Sequence, residues 1–358
     1  MFKVTIRPQW QLHARDGAAA PLRLVELLVG IHETGSLARA CSRAEISYRY
    51  AWGMLNAVQK SLGATLVTST RGSGATLTAL GEKLVWADKR ISARLSPLLD
   101  SLGSEIEVEF ERVYAPSEAI LRIHASHGFA VELLHRELGR RNIATDLKYR
   151  SSQEVLASLA RGNCDLAGLH MPLGEFETPM LRSFAKLLRG NYLVLDLTTR
   201  WQGLMLAPGN PKKIRGIADL ARADIRFVNR QIDSGTRTLF DLLLEKESID
   251  GRAIDGYDNG EFTHAAVAAY VASGMADAGF GIETPAKRFG LEFIRLVHER
   301  YFFVCPRSAL ENPEARTVLE ILDSPAFQKT VNALPGYNAR HCGRVLDLLD
   351  AFPALRNV

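Results

Sequence analysis

At 358 residues, 47% apolar and 23% charged, the chain is long enough for two or three domains and has the make-up of a folded, soluble protein. No run reaches the ~18 apolar residues of a membrane span, and the opening MFKVTIRPQWQLHARDG lacks the apolar stretch of a secretory signal. The net charge of +4 is uneven: residues 1–100 hold 13 Lys and Arg against 7 Asp and Glu, a balance of +6 that points to a polyanion partner for the first domain.

In chain order, FKVTIRPQWQLH alternates with period two and predicts a strand over 2–13. APLRLVELLVGIHETG predicts a helix with Leu22, Val25, Leu28, Val29 and Ile31 on one face and Gly35 as its stop. Ser36 is placed to cap a short helix with Leu37, Ala40 and Cys41 turned inward. After the turn AEI, Ser47 is placed to cap a helix over about 48–62, with Ala51, Trp52, Leu55 and Val58 as its apolar stripe and Gly63 as its end. Two helices across a three-residue turn form a helix-turn-helix, whose second helix presents its first turn to base edges in the major groove. Ser47, Tyr48, Arg49 and Tyr50 occupy that turn. An arginine reaches guanine or phosphate, and hydroxyls reach phosphate oxygens. Short strands at 64–69 and 75–78 flank RGSG, a wing tip whose Arg71 and Ser73 join Ser36 among the candidate DNA contacts. The winged helix-turn-helix is assigned to 1–80. A helix over 80–104, with Leu84, Ala87, Ile91 and Leu95 on one face, is expected to pair with its twin in a homodimer or homotetramer, and acidic 105–118 reads as a linker.

GSLARACSRAEISYRYAWGMLNAVQKSLGATLVTSTRGSGATLTALGEKLV resembles the winged helix-turn-helix of the molybdate-responsive ModE regulators, a group close to LysR-type regulators. The resemblance covers about residues 1–90 and implies a dimer that binds double-stranded DNA. The tandem molybdate-binding barrels usual in that family are not recognisable in the C-terminal part of the chain, so a molybdate response is not carried over with it.

From 119 onward, strand, polar turn and helix alternate in two clusters, about 119–199 and 209–293. That pattern predicts a largely parallel sheet with helices on both faces. WQGLMLAPGNP joins the clusters and LEFIRLVHERYFFVC returns, which describes a bilobed domain over 119–340, with lobe I at about 119–199 and 296–340 and lobe II at about 203–293. The fold class is therefore α/β overall: a helix-rich winged domain followed by a bilobed α/β binding domain. The tail, 341–358, reads as a final helix.

Several strand–helix turns carry small polar groups: Ser126 and His127; Ser151 and Ser152; Ser234, Gly235, Thr236 and Arg237; Thr263 and His264. His170 closes a strand. Helix N-termini beyond the carboxyl ends of strands are anion sites, with Arg230 or Arg237 as countercharge. Taken singly, each serine or threonine also fits ordinary N-capping. LARGNCDLAGLHMP, NRQIDSGTRTLFD and THAAVAAYVASGMADAGFGIETPAKRFGLEFIRL resemble the periplasmic-binding-protein-like (type II) domain of some LysR-type regulators and molybdopterin-biosynthesis proteins. This resemblance covers about 119–330 and implies a small-molecule sensor with Ser126, His127, Ser152, His170, Arg230, Ser234, Thr236, Arg237 and His264 at the ligand.

The four cysteines, Cys41, Cys164, Cys305 and Cys342, are far apart and predict reduced thiols in a cytoplasm, without a metal site. No nucleophile elbow, phosphate loop, dinucleotide fingerprint or His-Glu-x-x-His spacing is present, so no catalytic residue or cofactor is assigned. The sequence thus reads as a ligand-responsive transcription regulator sensing a small anion: molybdate, a molybdenum-cofactor-related molecule or a carboxylate such as formate. The alternative is a binding or cofactor-handling protein with a vestigial DNA-binding domain.

Overall fold

A computed structural model describes residues 2–15, 17–70, 74–115 and 119–357. The chain divides into two compact units, one of residues 7–95 and one of residues 1–6 with 96–358.

The smaller unit holds α1 (Arg23–Thr34), α2 (Leu37–Arg43), α3 (Tyr48–Leu62), β1 (Val67–Thr70), β2 (Gly74–Leu77) and the first part of α4 (Ala79–Tyr114). Leu24, Leu28, Ile31, Leu37, Leu55, Val58 and Val85 bury its core. Capping chemistry sets the ends of α1 and α3 and the starts of α2 and α3. Gly35 and Gly63 end α1 and α3 in the left-handed region, at φ 63° and 65°. Ser36 and Ser47 accept the backbone N–H of Arg39 and Tyr50. Ala40 is small because it crosses α1, where a Cβ on Gly30 would lie 3.0 Å from its own. One expectation fails in α3: Met54, not Trp52, joins the buried stripe, and Trp52 is 42% exposed. Rows at 51, 54–55 and 58 follow the helical period more closely than a row through 52. β1 and β2 form the antiparallel wing; its tip, with Arg71 and Ser73, lies outside the described residues.

The predicted N-terminal strand is not formed. Residues 2–12 are irregular, with one isolated bridge between His13 and Ala19. In the larger unit, Phe2 and Val4 donate their backbone N–H groups to the carboxylates of Glu111 and Glu107 on α4, at 2.8 and 2.7 Å. The segment thus finds its partners on a helix, not in a sheet. The predicted 105–118 linker is corrected as well, since α4 runs unbroken to Tyr114 through Pro97. Along its later turns Leu98, Leu102, Phe110 and Val113 remain exposed.

The larger unit continues with β3 (Leu121–Ala125), α5 (Phe129–Arg140), β4 (Thr145–Tyr149), α6 (Ser152–Ala160), β5 (Leu166–Pro172), α7 (Glu177–Phe184) and β6 (Tyr192–Leu206). Then come β7 (Phe227–Arg230), α8 (Gly235–Lys246), β8 (Gly260–Glu261), α9 (His264–Ala272), β9 (Ala278–Ile282), α10 (Glu283–Arg288) and β10 (Glu292–Pro306). It closes with α11 (Pro313–Asp323), α12 (Pro325–Asn332), β11 (Tyr337–Asn338), β12 (Val345–Asp347) and α13 (Leu348–Ala351). One sheet runs β4-β3-β5-β10-β6-β9-β7-β8, with β11 and β12 on β6. The outer strands pair in parallel, as expected. The crossings between lobes are themselves strands: β6 and β10, 15 residues each, pair antiparallel from Glu292 opposite Leu206 to Pro306 opposite Tyr192. The tail is also corrected, because Val345–Asp347 is a strand on β6 before the four-residue α13.

Helix α4 covers the open edge of β4. Ser104 Oγ donates to the Thr145 carbonyl at 2.7 Å and accepts the Leu147 N–H at 2.8 Å, and Ser101 Oγ accepts the Tyr149 N–H at 3.0 Å. Serine hydroxyls thereby satisfy an edge that would otherwise present unpaired groups. Ser104→Ala is expected to cost about 1–3 kcal/mol by stranding buried backbone groups, far more than the roughly 0.5 kcal/mol that alanine returns in helix propensity. Urea unfolding checks this, with Ser96→Ala, whose hydroxyl bonds Asp100 at the surface, as the unaffected control.

Candidate functional site

In the larger unit the N-termini of α5, α6, α8 and α9 surround one cleft. Ser126 and His127 line it before α5, Tyr149 to Ser152 at α6, Arg230, Gln231, Ser234 and Gly235 at α8, and Phe262 and His264 at α9; His170 of β5 completes the wall. About 30 Å³ of the cleft is open to the centre of a water molecule. A single water needs roughly 10–15 Å³ on that measure, so the space suits an anion of a few heavy atoms.

The caps explain the local sequence. Ser151 and Glu154 form a reciprocal capping box, Ser234 accepts the Arg237 N–H, and Thr263 accepts the Ala266 N–H. The side-chain oxygens of Ser151 and Ser234 therefore serve their own helices. The first N–H groups of those helices stay available to a ligand, with the helix dipole behind them. α5 begins at Gly128 with no side-chain cap. A Cβ there would stand 3.2 Å from Arg200 Nη1 and 3.3 Å from the Tyr301 ring, a tight fit that would press on both side chains.

Arg230 is the buried cation of the site, and the exposed Arg150 also lines it. Arg230 donates from Nε to the Glu261 carbonyl at 3.1 Å and from Nη2 to the Phe262 carbonyl at 2.7 Å, and forms no ion pair among the described residues. Burial, and then the nearby charge of Arg200, push it down to about 9, so it remains charged near neutrality. The same two influences, burial first and the arginines second, hold His264 well below its ordinary range and keep it neutral.

Two predicted contacts are corrected. Arg237 faces away from the cleft: its Nε donates to Asp241 at 3.0 Å, its Nη1 donates to the Tyr257 carbonyl at 3.1 Å, and its guanidinium lies 3.9 Å from the Tyr257 ring centre. Asp241 stands four residues on along α8, the spacing of a helical ion pair. Thr236 does not line the cleft either; its hydroxyl accepts from Gln202 Nε2 at 3.3 Å. Gly235 does permit a close approach, but to His170, whose Cε1 would sit 2.9 Å from a Cβ there.

Beneath the cleft lies a junction that the sequence reading missed. Glu299 of β10 is fully buried and stands opposite Arg200 of β6 in register. Its carboxylate accepts from His170 Nδ1 at 2.9 Å, from Arg200 Nε and from Gln202 Nε2. Arg200 Nη1 also donates to the Tyr337 hydroxyl at 3.1 Å. Burial alone would raise Glu299, but Arg200 and His170 outweigh it and hold the carboxyl below the usual range. Charged residues inside the apolar runs LTTRWQGLML and RLVHERYFFVC were the available signal. His127 Nε2 lies 2.8 Å from Glu132 Oε1, without the angle of a hydrogen bond.

In the smaller unit Tyr48, Arg49 and Tyr50 are exposed together on the first turn of α3. Ser36 and Ser47 act as caps, while Ser47 itself remains exposed.

Fold and cleft together define a two-unit chain with a helix-turn-helix and a bilobed binding domain. Residues 132–323 match the model of the PBP superfamily domain, and the chain belongs to that superfamily. Residues 22–82 match the model described as bacterial regulatory helix-turn-helix protein, lysR family. An uncharacterised protein of Bacillus subtilis (strain 168), YvgK, is 33% identical over 203 residues, 56% of this chain and 64% of that protein. The molybdenum-pterin-binding protein MopB of Rhodobacter capsulatus is 35% identical over 99 residues, 26% of this chain and 37% of that protein. An OxyR variant of Corynebacterium glutamicum aligns at a TM-score of 0.40 and 15% identity, over 84% of this chain and 90% of that one, a likeness too loose to bear on function.

Removing the buried carboxylate leaves Arg200 uncompensated, so Glu299→Gln is expected to cost about 3–5 kcal/mol in urea unfolding. Because Glu299 is held below its usual range, its contribution is full above the ordinary carboxylate range and declines as the pH falls through its lowered value. The gap between wild type and Glu299→Gln therefore narrows on acidification.

Proposed function

We propose that the chain is a ligand-responsive transcription regulator: the helix-turn-helix binds an operator, and the cleft closes on a small anion that biases it. The observation that carries this reading is Arg230, a buried cation lacking an ion-pair partner among the described residues, at the meeting point of four helix N-termini. Such a group is costly until an anion neutralises it. The exposed Tyr48–Arg49–Tyr50 turn, within the stretch that matches the lysR-family model, supports the DNA-binding half. A ligand acts only through different affinities for two arrangements of the protein. Helix α4 is suited to carry that difference, because it leaves the smaller unit and is bonded along β4, whose end lines the cleft.

Among the ligands, molybdate draws support from the ModE-like N-terminal motif and from the MopB relative, which is named for binding molybdenum-pterin. Formate fits the same space. A pterin-sized cofactor fragment needs far more room than the roughly two waters the cleft admits and is disfavoured. Assembly as a homodimer or homotetramer is supported by the exposed apolar row Leu98, Leu102, Phe110 and Val113 on α4.

Thermal-shift titration with molybdate, sulfate and formate tests the sensor. At least one should stabilise the wild type, and Arg230→Gln should lose that shift while still binding DNA. An unchanged shift in Arg230→Gln would refute the site. On the DNA side, Arg49→Ala is expected to weaken operator binding by about 1–3 kcal/mol if the side chain reads a base. An equal loss on random duplex would reduce its role to phosphate contact, and no affinity for any duplex at low salt would leave a binding protein with a vestigial helix-turn-helix.

A further inference from the structure

Helix α3 carries a glycine that its own fold does not ask for. Gly53 stands in the middle of the helix, exposed, and a Cβ added there would meet nothing within 4 Å. Every other described glycine of the smaller unit has an internal reason. Gly17, Gly35, Gly63 and Gly74 take positive φ, and a Cβ on Gly30 or Gly81 would come within 3.0 Å or 2.3 Å of a neighbour. Glycine inside a helix is less stable than alanine, so Gly53 weakens α3 with nothing inside the chain to offset it.

Its place on the helix shows what the free space faces. At about 100° per residue, Arg49, Gly53, Asn56 and Lys60 fall on one line, opposite the buried Ala51, Met54, Leu55 and Val58. All four are exposed, and the helix holds no aspartate or glutamate. The side chains of Arg49, Asn56 and Lys60 make no hydrogen bond or ion pair among the described residues. A cation at each end, with bare backbone and a carboxamide between them, complements a duplex groove, where phosphates form the rims and base edges the floor.

We propose that Gly53 is the point of closest approach between α3 and DNA, and that Asn56, one turn further on, reads an adenine in the major groove. This inference rests on the DNA-binding reading above and extends it from the first turn of α3 to its middle. Without a side chain at 53 the helix settles deeper into the groove. That depth matters for Asn56, because its short side chain meets a base edge only when the backbone lies close. Its carboxamide pairs one acceptor and one donor with N6 and N7 of adenine. The longer Lys60 reaches phosphate at the far end of the line.

The test sets stability against binding in the full chain. The wild type selects duplexes from a library with a random core of about 20 base pairs, two helical turns, and fluorescence anisotropy reads affinity for the selected duplex and for the unselected library. Gly53→Ala and Gly53→Leu are expected to melt higher, by about 1–4 °C for alanine. Both should bind the selected duplex more weakly, by about ten-fold for alanine and further for leucine. The loss is smaller on the unselected library, where the protein rides on phosphates. Asn56→Ala should lose about ten-fold selectivity for adenine at one position of the selected sequence. Unchanged binding by both Gly53 variants overturns the inference, while the DNA-binding reading still stands on the wild type's own selection. A lower melting temperature in Gly53→Ala also overturns it, because the glycine then serves the fold. Reselection of an identical sequence by Asn56→Ala overturns the adenine contact. If the wild type binds no duplex at low salt, the reading and the inference fall together.

Discussion

The larger unit depends on one buried carboxylate. Glu299 sits where the two lobe-crossing strands face each other, and no water reaches it. An isolated charge there would be prohibitive. It is tolerated because Arg200 stands opposite in register and bonds one carboxylate oxygen, while His170 and Gln202 bond the other. Pairs of this kind rarely add much stability over well-packed apolar residues, yet breaking one is costly. What the junction does provide is position. His170 comes from the first lobe, Arg200 and Gln202 from a crossing strand, and Gln202 hands on to Thr236 of the second lobe. One acid therefore fixes the register of both lobes under the cleft.

That arrangement also decides where the missing charge lies. Arg200 takes the Glu299 carboxylate, and Arg230 is left with backbone carbonyls. Burial first and the charge of Arg200 second lower Arg230, against the opposing pull of Glu299 and Glu261. Gly235, the first residue of α8, comes within contact of His170, and a Cβ there would stand 2.9 Å from the ring, so that one of the two would have to shift.

Much of this was legible in the sequence, and what was not has a physical reason. The helix-turn-helix was readable because caps and stops are local chemistry: Ser36, Gly35, Ser47 and Gly63 act where they stand. The cleft was readable in outline because strand–helix turns converge by topology, which brought Ser126, His127, Ser151, Ser152, His170, Arg230, Ser234 and His264 to one wall. Arg237 was misread because the two residues from Gly235 to Arg237, about half a helical turn, reverse a side chain's direction, and only its partner Asp241 reveals which way it faces. Glu299 and Arg200 lie about a hundred residues apart on strands that pair by long-range register, which no local pattern encodes. The N-terminal segment alternated like a strand but found its hydrogen bonds on two helical glutamates; alternation specifies a face, not a partner.

Helix α4 ties the edge of the sheet to the wall of the cleft. An exposed sheet edge invites pairing with another chain, and here two serines close it from a helix. A strand in that place would have continued the sheet outward. A helix ends the sheet and carries the chain back toward the smaller unit without interruption, from Tyr114 to Ala79. β4 ends at Tyr149, and Tyr149, Arg150, Ser151 and Ser152 line the cleft, so that wall and α4 are joined by hydrogen bonds made by β4 itself.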